Sequence, residues 1–366
     1  MQALLLVLIP FAVAAGVSAF ATPIAGRLAR VLRVIDLPSE RKVNRRQDIP
    51  LMGGLGVALG FFMGISIAIL LGGDELGYQD HLEGLLLGGL LLALTGAVDD
   101  RFSLSPRAKF GAQIVAAALA IYFGFVIDHV RDPVTRTAWM LPDWAAWLAT
   151  TLWIVGVTNA INLIDGLDGL ATGVAAIIAI TLTLICWQTD CILGVAIGSA
   201  FVGSLLGFLP FNFTPASIFL GDTGSLFIGF TLALLALEGY RQVDVLSFIV
   251  PILALAVPIL DTGLSILRRL RRRTGIFLPD RLHIHHRLLE TEGSQRSAVL
   301  SLYFLTACFC LIALSFTRIE GYLAILFLVA VALLTIRLLR NLGIFDGDKA
   351  GDAEEGAAEA HKEKAT

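Results

Sequence analysis

The sequence predicts an all-α polytopic membrane protein with about eleven transmembrane helices, its N-terminus outside and its C-terminus in the cytoplasm. Of its 366 residues, 57% are hydrophobic and only 16% are charged, against about 25% in soluble domains. Apolar runs of roughly the length needed to cross a bilayer recur along the whole chain. Loops rich in Lys and Arg alternate with loops that carry few, which is typical of membrane topology.

The apolar runs define the predicted spans. The first run has no basic residues before it and several after it, so we interpret it as a retained helix and not as a signal peptide. Residues 1–340 are therefore expected to form one membrane domain, and the polar, alanine-rich residues 341–366 a disordered cytoplasmic tail. The runs are 3–20, 52–71, 85–98, 110–127, 144–161, 170–187, 192–208, 226–237, 246–266, 298–316 and 323–336.

The basic residues set the orientation. They cluster after the first, third and ninth runs, in the loops that contain Lys42, Lys109 and Arg281. These loops are expected in the cytoplasm. The net charge of -3 and this clustering argue against nucleic acid as a partner. The four cysteines lie in or beside apolar runs without the spacing of a zinc or disulfide site, so we interpret them as buried packing residues.

Carboxylates follow the third run and precede the eighth. Asp99 and Asp100 are adjacent, and a charged helix end would explain them, but they also suit a divalent cation or a proton acceptor. Asp222 lies in Gly-Asp-Thr-Gly-Ser, a few residues after Asn212. A helix N-cap and a metal ligand are both compatible with that position.

Oxygen-bearing side chains recur every three residues after the fifth run, at Asn159, Asn162, Asp165 and Asp168. This spacing places such groups near one face of a helical turn. A polar helix end broken by glycines is the simpler explanation, but few structural loops beside lipid are so regular. We therefore predict a functional site here.

The loop after the ninth run contains three of the six histidines, His283, His285 and His286, close to Arg281. Imidazole and guanidinium groups recognise diphosphates and sugars, and histidines also bind metals, so both roles stay open. The polar clusters follow the third, fifth, seventh and ninth runs. All of them are thus expected on the same, cytoplasmic face, around one cleft.

These residues resemble the polyprenyl-phosphate N-acetylhexosamine-1-phosphate transferase family over essentially the whole membrane part. The histidine motif is similar to that of the N-acetylglucosamine branch and differs from that of the enzyme that uses UDP-muramoyl-pentapeptide. In the first cytoplasmic loop, Asn44 stands where relatives commonly have a histidine. The motifs that carry the resemblance are residues 49–54, 99–102, 159–170, 221–225 and 279–286.

The resemblance implies transfer of N-acetylglucosamine-1-phosphate from UDP-N-acetylglucosamine to undecaprenyl phosphate, with release of UMP. It places the enzyme in the bacterial inner membrane, at the start of cell-envelope polysaccharide synthesis, with Mg²⁺ as cofactor and Mn²⁺ as a substitute. Membrane lipids and the two substrates are the implied partners. A direct attack by the lipid phosphate and a covalent aspartyl intermediate both stay open.

The resemblance also implies roles for individual residues. Asp222 and Asn162 would bind the metal, and Asp99 would lie next to the attacking phosphate. The implied catalytic set is Asp99, Asp100, Asp165 and Asp168, and the implied substrate-binding set is Lys42, Lys109, Asn159, Asn212, Arg281, His283, His285 and His286.

Two alternatives remain at this point. The same chemistry with another UDP-N-acetylhexosamine, or with UDP-muramoyl-pentapeptide, would need only modest changes in the pocket. A cation-coupled transporter would instead place carboxylates near mid-membrane, often in two related halves, and no internal repeat is evident. The glycine pairs Gly53–Gly54 and Gly88–Gly89 allow close helix packing, either within one protomer or across a homodimer.

Overall fold

Helices dominate the computed structural model, which describes residues 2–36, 48–76, 79–131, 137–242, 249–271, 284–317 and 322–341. The helices in these ranges are α1 (Gln2–Val31), α2 (Gly54–Gly72), α3 (Gln79–Phe102), α4 (Pro106–Tyr122), α5 (Asp143–Ile164), α6 (Leu170–Gln188), α7 (Ile192–Asn212), α8 (Gly221–Gln242), α9 (Ile249–Ala254), α10 (Ala256–Arg271), α11 (Ile284–Glu292), α12 (Gln295–Phe316) and α13 (Tyr322–Asn341). A single 3-10 turn, Gly73–Leu76, follows α2.

Two small antiparallel hairpins complete the described secondary structure. Strand β1 (Ile35–Asp36) pairs with β2 (Ile49–Pro50), and β3 (His129–Arg131) pairs with β4 (Ala138–Met140). The first hairpin brings the two ends of the first predicted cytoplasmic loop together beside α2. It therefore fixes where the motif at residues 49–54 lies.

Eight of the described helices are long and apolar enough to cross a membrane: α1, α2, α3, α5, α6, α7, α8 and α12. The prediction of a polytopic, helical membrane protein is thus confirmed. Large apolar side chains on the outer helices are widely exposed, for example Leu70 at 79% and Phe304 at 72%. Such surfaces are costly in water and match lipid tails.

The ninth predicted run, 246–266, is not one continuous helix. It is divided into α9 and α10 at Leu255. Pro258 explains the break, because it has no backbone N–H to offer the carbonyl of Ala254 one turn earlier. That carbonyl instead accepts a hydrogen bond from the Cys310 thiol, at 3.7 Å. Helix α11, inside the histidine loop, was not predicted as a separate helix.

Helix α8 lies at the centre of the protein and packs against α3, α5 and α6. Its apolar side chains are buried almost without exception, and Phe227 packs edge-on against Phe61 of α2. The glycine pair Gly88–Gly89 of α3 lies against the rings of Phe230 and Phe227. These glycines therefore serve close packing within the protomer. The arrangement brings the end of α3 and the start of α8 to the same end of the bundle.

Candidate active site

The N-terminus of α8 is capped by a carboxylate from α3. Asp100 accepts hydrogen bonds from the Asp222 N–H at 2.8 Å, the Thr223 N–H at 3.1 Å and the Thr223 hydroxyl at 2.5 Å. The first N–H groups of a helix have no partner inside the helix, and a carboxylate also complements the positive end of its dipole. Asp100 is thus an N-cap supplied by a different helix.

Gly221 makes this cap sterically feasible. Its φ is +72°, and a Cβ at this position would lie 2.5 Å from an Asp100 carboxylate oxygen. A residue with a side chain would be strained here and would push the cap away. The Asp-Asp motif and the Gly-Asp-Thr-Gly-Ser motif therefore form one structural unit.

The motif at residues 49–54 supports the same unit from the other side. The N–H groups of Gly53 and Gly54 donate to the carbonyls of Phe219 and Leu220, both at 2.9 Å. In return, the Phe219 N–H donates to the carbonyl of Pro50, also at 2.9 Å. A Cβ on Gly54 would lie 2.1 Å from the Gly224 nitrogen, so only glycine allows this approach. This segment fixes the backbone just before Asp222.

Lys109, from α4, joins a predicted catalytic carboxylate, Asp99, to a predicted metal ligand, Asp222. Its ammonium group lies 2.8 Å from an Asp222 oxygen and 3.1 Å from an Asp99 oxygen. The other Asp99 oxygen accepts the Leu104 N–H at 2.7 Å. The amide of Asn162 donates to the other Asp222 oxygen at 3.0 Å and to the Ser225 hydroxyl at 2.8 Å. Four helices thus contribute to one polar cluster.

The acidic loop after α5 holds Asp165 and Asp168 in different environments. Asp168 is 6% exposed and accepts the Ala216 N–H at 3.0 Å, which ties this loop to the segment before α8. For the Asp165 carboxylate, no hydrogen-bond donor occurs among the described residues. Burial, and then repulsion from Asp222, Asp100 and Asp168, holds the pKa of Asp165 well above its usual value.

These groups surround a cavity of about 480 Å³, within the size range of small-molecule sites. Most of the predicted oxygen-bearing residues line it, so the structure brings them together as expected from the topology. The cavity is strongly acidic, and within the described part of the chain Lys109 is the cation seated among its carboxylates. The predicted residues among its lining are Asp99, Asp100, Asn162, Asp165, Asp168, Asn212 and Asp222.

Two predicted substrate-binding amides have structural partners. Asn212 is 2% exposed at the cavity wall, where it accepts the Thr172 hydroxyl at 2.8 Å and donates to the Ile218 carbonyl at 3.1 Å. Asn159 does not line the cavity. Its amide donates to Gln113 of α4 at 2.6 Å, which places it in the interface between α4 and α5.

The remaining predictions fall on the loops that the sequence predicts to be cytoplasmic. Lys42, Arg281 and His283 lie outside the described residues. His285 and His286 lie in the first turn of α11, and their side chains lie outside the described part. Their proposed contacts with substrate stay predictions.

The structure also shows site residues that the sequence did not single out. Asp36, Ser103 and Gln295 line the cavity. Gln295 begins α12, and no local pattern in the sequence marked it. Thr223 and Ser225, by contrast, lie within a recognised motif. Their position just after Asp222 was an available signal of hydrogen bonding at a helix start.

The donor groups present suit a hard divalent cation. In the described ranges, no group of three or more His, Cys, Asp or Glu side chains converges tightly enough to hold an ion by itself. Mg²⁺ typically uses one or two carboxylates, with water and substrate phosphates completing its shell. Asp222 and the neighbouring side-chain carbonyl oxygen of Asn162 offer such a partial shell, and the Asp165 carboxylate, which has no partner among the described residues, would gain a counter-charge. The residues therefore fit the predicted ion.

Fold and cavity together define a polytopic membrane enzyme suited to phosphorylated substrates. Residues 82–240, which contain most of the cavity lining, match glycosyl transferase family 4. A probable undecaprenyl-phosphate N-acetylglucosaminyl 1-phosphate transferase of Bacillus subtilis is 36% identical over 322 residues, covering 88% of this chain and 87% of the relative. The chain belongs to this family of transferases, as the motifs implied.

Two less similar relatives are named as transferases of the same type. The decaprenyl-phosphate N-acetylglucosaminephosphotransferase of Mycobacterium tuberculosis is 33% identical over 317 residues, covering 79% of this chain and 77% of the relative. The undecaprenyl-phosphate alpha-N-acetylglucosaminyl 1-phosphate transferase of Escherichia coli is 28% identical over 283 residues, covering 75% and 74%. These names differ in the polyprenyl carrier and share the sugar.

Proposed function

We propose that this enzyme transfers N-acetylglucosamine-1-phosphate from UDP-N-acetylglucosamine to undecaprenyl phosphate and releases UMP. The observation that carries the proposal is the Asp99–Lys109–Asp222–Asn162 cluster on a single cavity, in a chain similar over most of its length to transferases named for this sugar. The product is the lipid diphosphate sugar from which a cell-envelope polysaccharide is built.

The proposed topology has eleven spans: α1 to α8, the broken pair α9 and α10 as one, α12 and α13. The basic residues that follow the first, third and ninth predicted runs support a cytoplasmic cavity and an N-terminus outside, in the bacterial inner membrane. A cytoplasmic cavity suits the chemistry, because nucleotide sugars are made in that compartment and the lipid phosphate can reach it from the inner leaflet.

The proposed reaction forms one P–O bond and breaks another. An oxygen of the lipid phosphate attacks the β-phosphorus of the nucleotide sugar, and the bond between that phosphorus and the bridging oxygen breaks, so UMP leaves. Such transfers depend mainly on positioning and charge neutralisation. When bound, Mg²⁺ supplies charge neutralisation at the diphosphate, held by Asp222 and Asn162 with Asp165 nearby.

Lys109 and Asp99 act on the lipid phosphate in this proposal. The Lys109 ammonium, held between two carboxylates, is placed to bind an incoming phosphate. A phosphate monoester has a second pKa of about 6 and is mostly ionised at neutral pH, so no strong base is needed to deprotonate the attacking oxygen. Asp99 is therefore assigned to orienting Lys109 and the attacking oxygen.

The test is release of UMP by the purified full-length protein in detergent with undecaprenyl phosphate and Mg²⁺. UDP-N-acetylglucosamine, UDP-N-acetylgalactosamine and UDP-muramoyl-pentapeptide are supplied in parallel. We expect lipid- and Mg²⁺-dependent release with the first alone. Asp222→Asn should abolish it, whereas Asp143→Asn, an exposed carboxylate at the far end of α5, should not. Release with another nucleotide sugar would keep the reaction and change the assigned sugar. No release from folded protein with any of the three would refute the proposed reaction.

A further inference from the structure

We propose that Asp261 is a positioning residue for the histidine helix α11, holding the first turn that carries His285 and His286 without itself contacting substrate. The inference rests on the proposed function, in which these histidines bind the nucleotide sugar. It concerns a residue of α10 that the reaction itself does not use.

The contact that carries the inference joins Asp261 to the start of α11. One carboxylate oxygen of Asp261 accepts the Ile284 N–H at 2.6 Å. Ile284 is the first residue of α11, so its N–H is one of those that the helix leaves unpaired. Asp261 thus caps α11 from another helix, as Asp100 caps α8.

The burial of Asp261 indicates that this cap is a specific feature. The residue is only 2% exposed, and the partly buried apolar residues Leu260 and Leu264 on the same helix pack against the core. A buried carboxylate is costly unless hydrogen bonds and favourable dipoles compensate for lost hydration. The α11 N-terminus provides both. At this site the carboxylate and the helix start stabilise each other.

Other restraints on α11 come from its apolar side chains and from the turn that follows it. Ile284 and Leu288 share one face and are 3% and 8% exposed, so this face is packed against the protein. After α11 the chain turns into α12, where the Ser294 hydroxyl accepts the Ser297 N–H at 3.1 Å and Gln295 lines the cavity. The C-terminal end of α11 is thus joined by a short turn to Gln295 at the cavity wall.

The histidines occupy the other end of this short helix. A nine-residue helix is about 13 Å long, and His285 and His286 directly follow the residue that Asp261 holds. Loss of the Asp261 hydrogen bond should therefore loosen the backbone of the first turn before it affects Leu288 and the turn into α12. The expected consequence is poorer nucleotide-sugar binding, with the lipid phosphate site unchanged.

The test compares Asp261→Ala, His285→Ala and the double variant by steady-state UMP release. We expect Asp261→Ala to raise the KM for the nucleotide sugar by about 10-fold to 100-fold and to leave the KM for undecaprenyl phosphate unchanged. Asp261→Asn, which keeps an acceptor oxygen, should lie closer to wild type. In the double variant the effects should not multiply, because Asp261 acts through the histidines.

Thr262→Val is the matched control. The neighbouring Thr262 hydroxyl is buried and has no hydrogen-bond partner among the described residues, so its removal should leave both KM values unchanged. Should Asp261→Ala fail to fold, Asp261→Leu fills the buried volume and carries the same test.

The outcomes separate the two proposals. If His285→Ala impairs sugar binding but folded Asp261→Ala or Asp261→Leu does not, the positioning role is wrong and the proposed function stands. Effects that multiply in the double variant would likewise refute it. If His285→Ala changes nothing, both the histidine assignment and the role of Asp261 are refuted.

Discussion

Asp100 should act through the position of α8 and not through contact with substrate. Both of its carboxylate oxygens are engaged by the first turn of that helix, through three hydrogen bonds: two from backbone N–H groups and one from the Thr223 hydroxyl. Replacing Asp100 by Ala removes the whole cap, Asp100→Asn removes the charge and half of the acceptor capacity, and Thr223→Val removes one hydrogen bond only. The three variants therefore form a graded series.

The structure sets the expected magnitudes. Loss of an N-cap side chain costs about 1–2 kcal/mol of stability. A hydrogen bond to a charged group contributes about 1.5–3 kcal/mol, which is the upper estimate for Thr223→Val, and Asp100→Ala loses this hydrogen bond in addition to the cap, so its cost is the larger. Because Asp222 is the first residue freed when the cap is lost, its carboxylate should shift relative to Lys109 and Asn162. Such misplacement is expected to lower kcat by about 10²-fold in Asp100→Ala.

The assay is UMP release together with thermal unfolding in detergent, both measured across a Mg²⁺ titration. Activity and unfolding temperature should fall in the same order, from Thr223→Val through Asp100→Asn to Asp100→Ala, with a higher Mg²⁺ requirement in the last. A residue that contacts the substrate or the metal through its charge behaves differently. Equal inactivity of Asp100→Asn and Asp100→Ala, at an unchanged unfolding temperature, would refute the positioning role.

Three further predictions follow from the same cavity. Lys109→Met should raise the KM for undecaprenyl phosphate and lower kcat by about 10²-fold, with Lys109→Arg less severe, measured by UMP release. Asp165→Asn should raise the unfolding temperature at pH 7.5 without Mg²⁺. Because the pKa of Asp165 is raised in the folded state, its ionised form destabilises the fold, and this destabilisation grows as the pH rises above about 4, the ordinary pKa of an aspartate. The gain should shrink toward pH 4 and when Mg²⁺ is added, and a gain that persisted at pH 4 would contradict this reasoning. Gly54→Ala should give little folded protein in size-exclusion chromatography, because its Cβ would meet the backbone of Gly224; the exposed Gly111→Ala is its control.

The sequence was sufficient to predict the membrane fold and the meeting of several motifs. Hydropathy, and the fact that the polar clusters all follow odd-numbered runs, were enough to predict that Asp99, Asn162 and Asp222 lie at one end of the bundle. The three-residue spacing from Asn159 to Asp168 was a poorer guide to which of these side chains reach the cavity. Asn159 lies one turn inside α5 and faces Gln113, whereas α5 ends at Ile164, so Asp165 belongs to a loop that helical spacing does not describe.

Other features were present in the sequence only as single residues. Pro258 marked the break between α9 and α10, but the surrounding run was apolar enough to be interpreted as one span. The hydrogen bond between Asp100 and Thr223 joins residues far apart in the chain, and that between Asp261 and Ile284 crosses a whole loop. Local patterns carry no information about such partners, because the pairing depends on how helices cross.

The two adjacent aspartates after the third run show that neighbouring acidic residues of the site have different partners. Neighbouring residues on a helix point about 100° apart, so the carboxylates of Asp99 and Asp100 face different surroundings. Asp99 lies toward Lys109 and the cavity, and Asp100 lies toward the start of α8. Asp165 and Asp168 differ in a similar way: no donor among the described residues reaches Asp165, whereas Asp168 ties two loops together. Asp100 and Asp168 thus hold the backbone at the start of α8 and before it, and we expect Asp99 and Asp165 to serve cations and substrate.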